Sequence, residues 1–279
     1  MKLSPTAQIF WYSQTGHSYA CALKAAETLQ QSGYVVNLTP LALAEPANFQ
    51  ADQILFVFPV NNFNVPVPMV RRFRQLPVVS ETRDAFAIIT YAGMPANTAF
   101  LFKRLLAGKN LRLQSFVKIR CRDSFIPFAK WFRFMNETGK PDADSLARVE
   151  RFVRAAMIEG TDRRRPLFNP FDLTHWMGQG SPDDGPKMLL GERIFLKEAC
   201  VLCGQCVALC PSKAITLEAG EIRFDEKLCL GCCGCLNVCP ENAWRSSRFG
   251  PEYFNKGLHV PAMADALDRQ VGQRPGESL

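Results

Sequence analysis

The sequence predicts an α/β protein in two parts. One is a doubly wound, five-stranded parallel sheet over residues 1–160, and the other is a small α+β unit over residues 192–250. Three observations carry this expectation. Unbroken apolar runs alternate with helical patterns up to about residue 120, the signature of strands buried on both faces. A cysteine motif occurs twice near the C-terminus, at a spacing that marks an internal repeat. With 47% hydrophobic and 21% charged residues among 279, the chain has enough apolar surface to exclude a disordered polymer.

The elements follow in order. Ala7–Tyr12 is an apolar strand that runs into a polar loop. From His17 to Gln31, Ala20, Leu23, Ala26 and Leu29 recur at helical spacing, and Ser32-Gly33 supplies an exit. Tyr34–Leu38, Gln53–Phe58, Ala85–Tyr91 and Leu113–Ile119 read as the remaining strands. Pro66 and Pro68 frame a short helix, Met69–Gln75, and Pro95 suits the first turn of a helix ending near Ala107. Residues 123–138 are aromatic and read as a helix packed on the core, with Trp131, Phe132 and Phe134 inside. Ala143–Ile158 is amphipathic and closes the sheet. Residues 161–191 read as a linker and 251–279 as a C-terminal tail ending in polar residues. The 21 phenylalanines call for an aromatic-rich core.

The strongest chemistry lies between Cys200 and Cys239, which hold nine of the eleven cysteines. CVLCGQCVALCP begins at Cys200 and CLGCCGCLNVCP at Cys229, and each contains C-x2-C-x2-C-x3-C-P. Three thiolates within seven residues let one loop wrap a compact cluster, while the fourth, on the next turn, reaches the other cluster. Cys200, Cys203, Cys206 and Cys239 are thereby assigned to one [4Fe–4S] cluster, and Cys229, Cys232, Cys235 and Cys210 to a second. Zinc is the competing occupant, but it prefers paired C-x2-C knuckles. Gly204, Gly231 and Gly234 permit tight turns beside the sulfides. Cys233 falls opposite Gly204 in the repeat and reads as a non-ligand thiol. A swap with Cys232 or Cys235 is the alternative, at the expense of a distorted loop. Over residues 193–248 the motif resembles the bacterial two-cluster ferredoxin fold.

The first strand leads through Ser13-Gln14-Thr15-Gly16-His17-Ser18 directly into a helix. Small hydroxyl residues and a glycine at a helix N-terminus make an anion site. No Walker lysine and no G-x-G-x-x-G follow the strand, which argues against nucleoside-triphosphate and dinucleotide loops. The loop resembles the flavodoxin phosphate loop T/S-x-T-G-x-T/S, which holds the phosphate of FMN. That resemblance implies two further loops around the flavin ring, Pro59-Val60-Asn61-Asn62-Phe63 after the third strand and Thr90-Tyr91-Ala92-Gly93 after the fourth. Both lie at carboxyl ends of strands, where such sheets bind ligands. His17 either helps neutralise the phosphate or faces solvent. His175 and His259 have no metal-spaced partners, and Cys21 and Cys121 read as buried small hydrophobes.

Taken whole, the chain resembles the bacterial flavodoxin–ferredoxin fusion proteins, and Phe116–Pro127 resembles that family's segment after the fifth strand. The expectation is an electron-transfer iron–sulfur flavoprotein with two [4Fe–4S] clusters and FMN, linking a one-electron protein partner to a flavin-linked acceptor. The alternatives are an FMN-dependent reductase of a quinone or enone, and a binding module whose first domain lacks FMN. The net charge of +7 is concentrated in residues 100–170, which carry +9 alone. This segment either docks a redox partner such as an acidic ferredoxin or a reductase, or is simply solvated. Two oxidised clusters would bring the total to about +3, which argues against nucleic acid. No apolar run reaches membrane-spanning length. The N-terminus shows no signal-peptide pattern, so a cytoplasmic location is expected.

Overall fold

The computed structural model describes residues 4–132, 139–164, 166–172, 185–254 and 256–271. Its contacts divide the chain into two compact units. The first comprises Met1–Ser13, His17–Arg122 and Glu137–Pro182, and the second Gln14–Gly16, Asp123–Asn136 and Asp183–Leu279.

The first unit is built on five parallel strands: β1 (Thr6–Trp11), β2 (Val35–Pro40), β3 (Gln53–Pro59), β4 (Arg83–Tyr91) and β5 (Leu111–Arg120). They lie in the order β2-β1-β3-β4-β5, the flavodoxin-like arrangement. Ile54–Phe58 and Ala85–Thr90 are buried without interruption, as strands covered on both faces must be. Helices α1 (His17–Gln31) and α5 (Ala143–Val153) contact the sheet and each other. Their Ala22, Ala25, Leu29, Val149 and Val153 are fully buried. Helices α2 (Val67–Gln75) and α3 (Thr98–Ala107) place Met69, Phe73, Phe102 and Leu106 in a core with Phe10, Phe56 and Phe58. The Phe56 ring lies 5.2 Å from Phe10, 5.5 Å from Phe73 and 5.3 Å from Phe102, so the expected aromatic core is present. The amphipathic stretch expected as one helix to Ile158 is α-helical to Val153 and continues as a wider turn over Arg154–Ile158.

The second unit is assembled from very short pieces. Strand β6 (Arg193–Phe195) pairs antiparallel with β9 (Trp244–Ser246), and β7 (Ile215–Glu218) pairs with β8 (Glu221–Phe224). Between them lie the one-turn helices α7 (Gln205–Ala208) and α8 (Gly234–Val238). The 29-residue repeat is visible in the backbone. Left-handed residues Leu202, Gly204 and Lys213 in the first copy recur as Gly231, Cys233 and Asn242 in the second.

The stretch after β5 differs from the sequence expectation. Among the described residues of this stretch, Ile126–Trp131 (α4) is helical, and it belongs to the second unit. Ile126 is buried there with Leu190, Ile215, Leu236, Trp244, Phe249 and Phe254. Asn237 Nδ2 donates to the Ser124 carbonyl at 2.8 Å. Trp131 and Phe132, expected inside, are 51% and 38% exposed. Trp131 meets Phe249 edge-on at 5.9 Å, and Lys130 lies over Phe249 and Tyr253. Phe134 and His175 lie outside the described residues. The second unit also includes α6 (Gly185–Leu190) and α9 (Val260–Val271), the latter within the stretch read as a tail.

Candidate functional site: two cysteine-lined cavities and a hydroxyl-rich loop

Two cavities in the second unit are lined by the repeated cysteines. The first is walled by Cys200, Cys203, Cys206 and Cys239. The second is walled by Cys210, Cys229, Cys232 and Cys235, with Cys206 and Cys233 also on its surface. The two groups of four brought together are those expected from the spacing. Among the described residues, no three Cys, His, Asp or Glu side chains gather closely enough to hold a single metal ion. The thiols are spread around walls instead, as ligands of a multi-atom group are.

Backbone N–H groups point at the sulfurs in a repeated pattern. Leu202 N–H donates to Cys200 Sγ and Gly231 N–H to Cys229 Sγ, both at 3.4 Å. Ala214 N–H donates to Cys210 Sγ and Ala243 N–H to Cys239 Sγ, both at 3.2 Å. Each bond has its counterpart 29 residues away, and each places a positive dipole end against a sulfur that carries negative charge once it binds iron. Burial pushes the Cys206 thiol up to about 11 and the Cys232 thiol up to about 12, and it raises Cys233 and Cys235 well above the usual range. A metal bound by these thiols would have to displace those protons.

The walls carry two buried donors that suit an anionic, sulfur-rich group. In the first cavity the Trp244 indole is 1% exposed. It lies near enough to Cys206 to draw that thiol's pKa down, against the larger effect of burial. In the second cavity Arg193 has Nε and Nη1 buried without partners among the described residues, while Nη2 pairs with Glu226. Unpaired buried donors are costly in an apolar wall and favourable against thiolate and sulfide.

Cys233 sits at φ 60, ψ 9, ahead of α8, in the left-handed conformation that Gly204 adopts in the first copy. Of the three glycines expected to turn tightly, Gly204 and Gly231 do so, at φ 71 and 65. Gly234 is the first residue of α8, and the turn falls on Cys233 instead. The Cys233 sulfur contacts the Gly231 carbonyl at 3.7 Å, and the thiol is 3% exposed. Nearby, burial pushes the Asp123 carboxyl up to about 6, although the Phe125 N–H donates to it at 2.8 Å.

In the first unit, the loops expected around a flavin come together at the carboxyl ends of the strands. Ser18 Oγ lies 2.7 Å from Thr90 Oγ1, which joins the start of α1 to the end of β4. Val60 N–H donates to the Thr90 carbonyl at 2.7 Å, bringing the Pro59–Phe63 loop alongside. Asn62 and Phe63 have φ of 46 and 59, a tight reversal closed by paired backbone bonds between Asn61 and Asn64. Tyr91 is tied by its carbonyl to the Cys121 N–H at 2.7 Å, and Ala92 and Gly93 follow it. Ser13 and Ser18 are buried. So is His17, whose alternative as a solvent-facing residue is thereby excluded. Burial and the neighbouring Arg122 cation lower its pKa to about 4, so the imidazole is neutral at pH 7. Helix α1 has no acidic residue in its first turn, and its N–H dipoles with the hydroxyls match what a phosphate needs.

Gln14–Gly16 cluster with the second unit. The Leu258 N–H donates to the Thr15 carbonyl at 2.8 Å. A Cβ at Gly16 would fall 1.6 Å from the Leu258 carbonyl oxygen, so that position tolerates only glycine. Cys21 and Cys121, each buried, lie against one another, and their contact raises the Cys121 thiol.

Comparison with known proteins found one family model and several solved structures. Residues 193–244 match the model of a 4Fe-4S dicluster domain. A flavodoxin from the domain Archaea covers 56% of this chain and 96% of its own, at 11% identity and a TM-score of 0.39. A Streptococcus pneumoniae TIGR4 flavodoxin covers 53% and 95%, at 14% and 0.39. A putative quinone reductase from Klebsiella pneumoniae covers 56% and 86%, at 13% and 0.38. These overlaps are weak, and the strand order itself establishes the fold of the first unit. Comparison with curated protein sequences found no match. Among the described residues no helix is long and apolar enough to cross a membrane.

Proposed function

We propose that this chain is an electron-transfer iron–sulfur flavoprotein. Cys200, Cys203, Cys206 and Cys239 would hold one [4Fe–4S] cluster, and Cys210, Cys229, Cys232 and Cys235 a second. The hydroxyls of Ser13, Thr15 and Ser18, with the N-terminus of α1, would hold the phosphate of FMN, while Pro59–Phe63 and Thr90–Gly93 would flank its ring. When bound, the clusters supply one-electron steps and the flavin one- or two-electron steps. The observation that carries the reading is the sorting of eight cysteines into two cavities, each with matching N–H···S bonds at the 29-residue repeat.

The chain's own residues have three tasks. The N–H groups of Leu202, Ala214, Gly231 and Ala243 stabilise negative sulfur. Half-buried Cys206, Cys232 and Cys235 would hold their clusters partly out of water. Neutral His17 leaves phosphate recognition to hydroxyls and backbone dipoles. The positive excess of residues 100–170 supports an acidic redox partner. Lys103, Arg104, Arg148 and Arg151 are exposed. Arg112 and Arg164 are instead paired at 2.8 Å with Asp84 and Asp162.

Anaerobic purification tests the proposal. About eight irons and acid-labile sulfides per chain, with a bound yellow chromophore released as FMN, are the expected result. Zinc at the cysteines, or eight irons with no affinity for flavin, would overturn it.

A further inference from the structure

The repeat places chemically different residues at equivalent points of the two cavity walls. Phe195 in the first cavity corresponds to Phe224 in the second, so the aromatic wall is shared. Ile222 in the first corresponds to Arg193 in the second. Trp244 in the first corresponds to Ile215 in the second. One cavity therefore has a neutral indole N–H in its wall and the other a guanidinium.

Arg193 is held in place. It lies in β6, and its side chain is only 2% exposed. The guanidinium carbon stands 5.8 Å from the Phe224 ring centroid. Its one anionic partner, Glu226, is 61% exposed and hence well solvated. Water screens that carboxylate in part, so it offsets only part of the buried positive charge. Two of its guanidinium nitrogens, Nε and Nη1, have no hydrogen-bond partner among the described residues. A buried cation balanced so weakly is retained only where a further negative charge faces it.

We infer that Arg193 sets the redox potential of the cluster held by Cys210, Cys229, Cys232 and Cys235, making it the more easily reduced of the two. This rests on the cluster assignment proposed above. Adding one electron takes a cluster with four thiolates from about −2 to about −3, so a fixed cation favours the reduced form. In the first cavity the equivalent position is Ile222, and the neutral Trp244 N–H in that wall interacts more weakly with added charge. Arg193 acts through charge and not by ligation, and its effect survives salt because the guanidinium is shielded from solvent ions.

The test is an EPR-monitored redox titration of the full chain, prepared anaerobically, with iron counted in every sample. Wild-type protein should show two one-electron waves. Arg193→Met should move the upper wave to lower potential by a tenfold or greater change in the equilibrium, about 59 mV for one electron. The lower wave should stay in place. Arg193→Lys, which keeps the charge, should restore most of the shift. Glu226→Gln removes an exposed partner without disturbing the core, and it should move the same wave upward. The Arg193→Met shift should persist when salt is raised. Unmoved waves in Arg193→Met and Glu226→Gln with about eight irons retained would overturn the inference and leave the cluster assignment standing. Movement of the lower wave would overturn the ranking. Loss of iron from Arg193→Met leaves Glu226→Gln to decide. Wild-type protein without iron–sulfur clusters would overturn the assignment, and the inference with it.

Discussion

Cys233 occupies a backbone position that disfavours any residue but glycine, with φ at 60 and the side chain 97% removed from solvent contact. Such a conformation costs roughly 1–2 kcal/mol for an ordinary side chain. Its sulfur is engaged with the Gly231 carbonyl, while the four cysteines expected for the second cluster line the same cavity without it. Cys233→Ala should therefore leave about eight irons bound, and Cys233→Gly should do so with equal or greater stability. Loss of four irons from either variant would make Cys233 a ligand in place of Cys232 or Cys235. His17 offers a second check at this scale. Its folded pKa lies near 4 against an ordinary 6.5, so between those values the unfolded chain binds a proton that the folded chain does not. Stability is full above pH 6.5 and falls as the pH drops toward 4, by about 3 kcal/mol in all at 1.36 kcal/mol per unit. An NMR titration should show one histidine near pH 4, absent in His17→Asn. A value near 6.5 would mean that the loop leaves His17 solvated.

Elements with a strong repeating pattern were legible in the sequence. Helix α1 has the bounds read from its apolar spacing, and the five strands lie where unbroken apolar runs place them, although β4 and β5 extend two residues further at their starts. The cysteine groups were legible because thiol spacing is a direct record of which loop wraps which site. Residues whose role depends on distant neighbours were not. Nothing local marks Ile126 as part of the second unit's core, and its apolar neighbours fit a helix on the sheet equally well. Ile126→Ala should lower the second unit's stability by about 2–5 kcal/mol, read as release of cluster absorbance at a lower temperature. An unchanged release temperature would mean that α4 contributes no packing there. The hydroxyl loop gives another prediction at this level. Thr15→Ala and Ser18→Ala should each weaken FMN binding about tenfold, the size of one hydrogen bond to a charged group, and leave riboflavin binding unchanged. Ser18→Ala also strips Thr90 of its hydroxyl partner, so the ratio of FMN to riboflavin affinity is the informative quantity. Equal losses for both ligands would place the phosphate elsewhere.

Across the whole molecule, the two units differ in what holds them together. The first has a continuous five-stranded sheet with helices on both faces and a large aromatic core. The second has strands of three or four residues and helices of four or five around its cysteines. Its aromatic cluster of Trp244, Phe249 and Phe254 is real, yet the four short strands around the cysteines bury little surface of their own. The amides of Ala214 and Ala243 are informative reporters, because they bond to cysteine sulfur and not to a carbonyl. Native-state hydrogen exchange before and after anaerobic iron chelation should separate the units. Protection at Ala214 and Ala243 should collapse on chelation, since binding free energy at such sites is folding free energy. The amides of Phe56 and Ile88, inside the parallel sheet, should keep theirs. If Ala214 and Ala243 stay protected without iron, the aromatic cluster alone supports the second unit. If Phe56 and Ile88 open as well, the sheet depends on the metal sites for its own stability, which its continuous buried strands argue against.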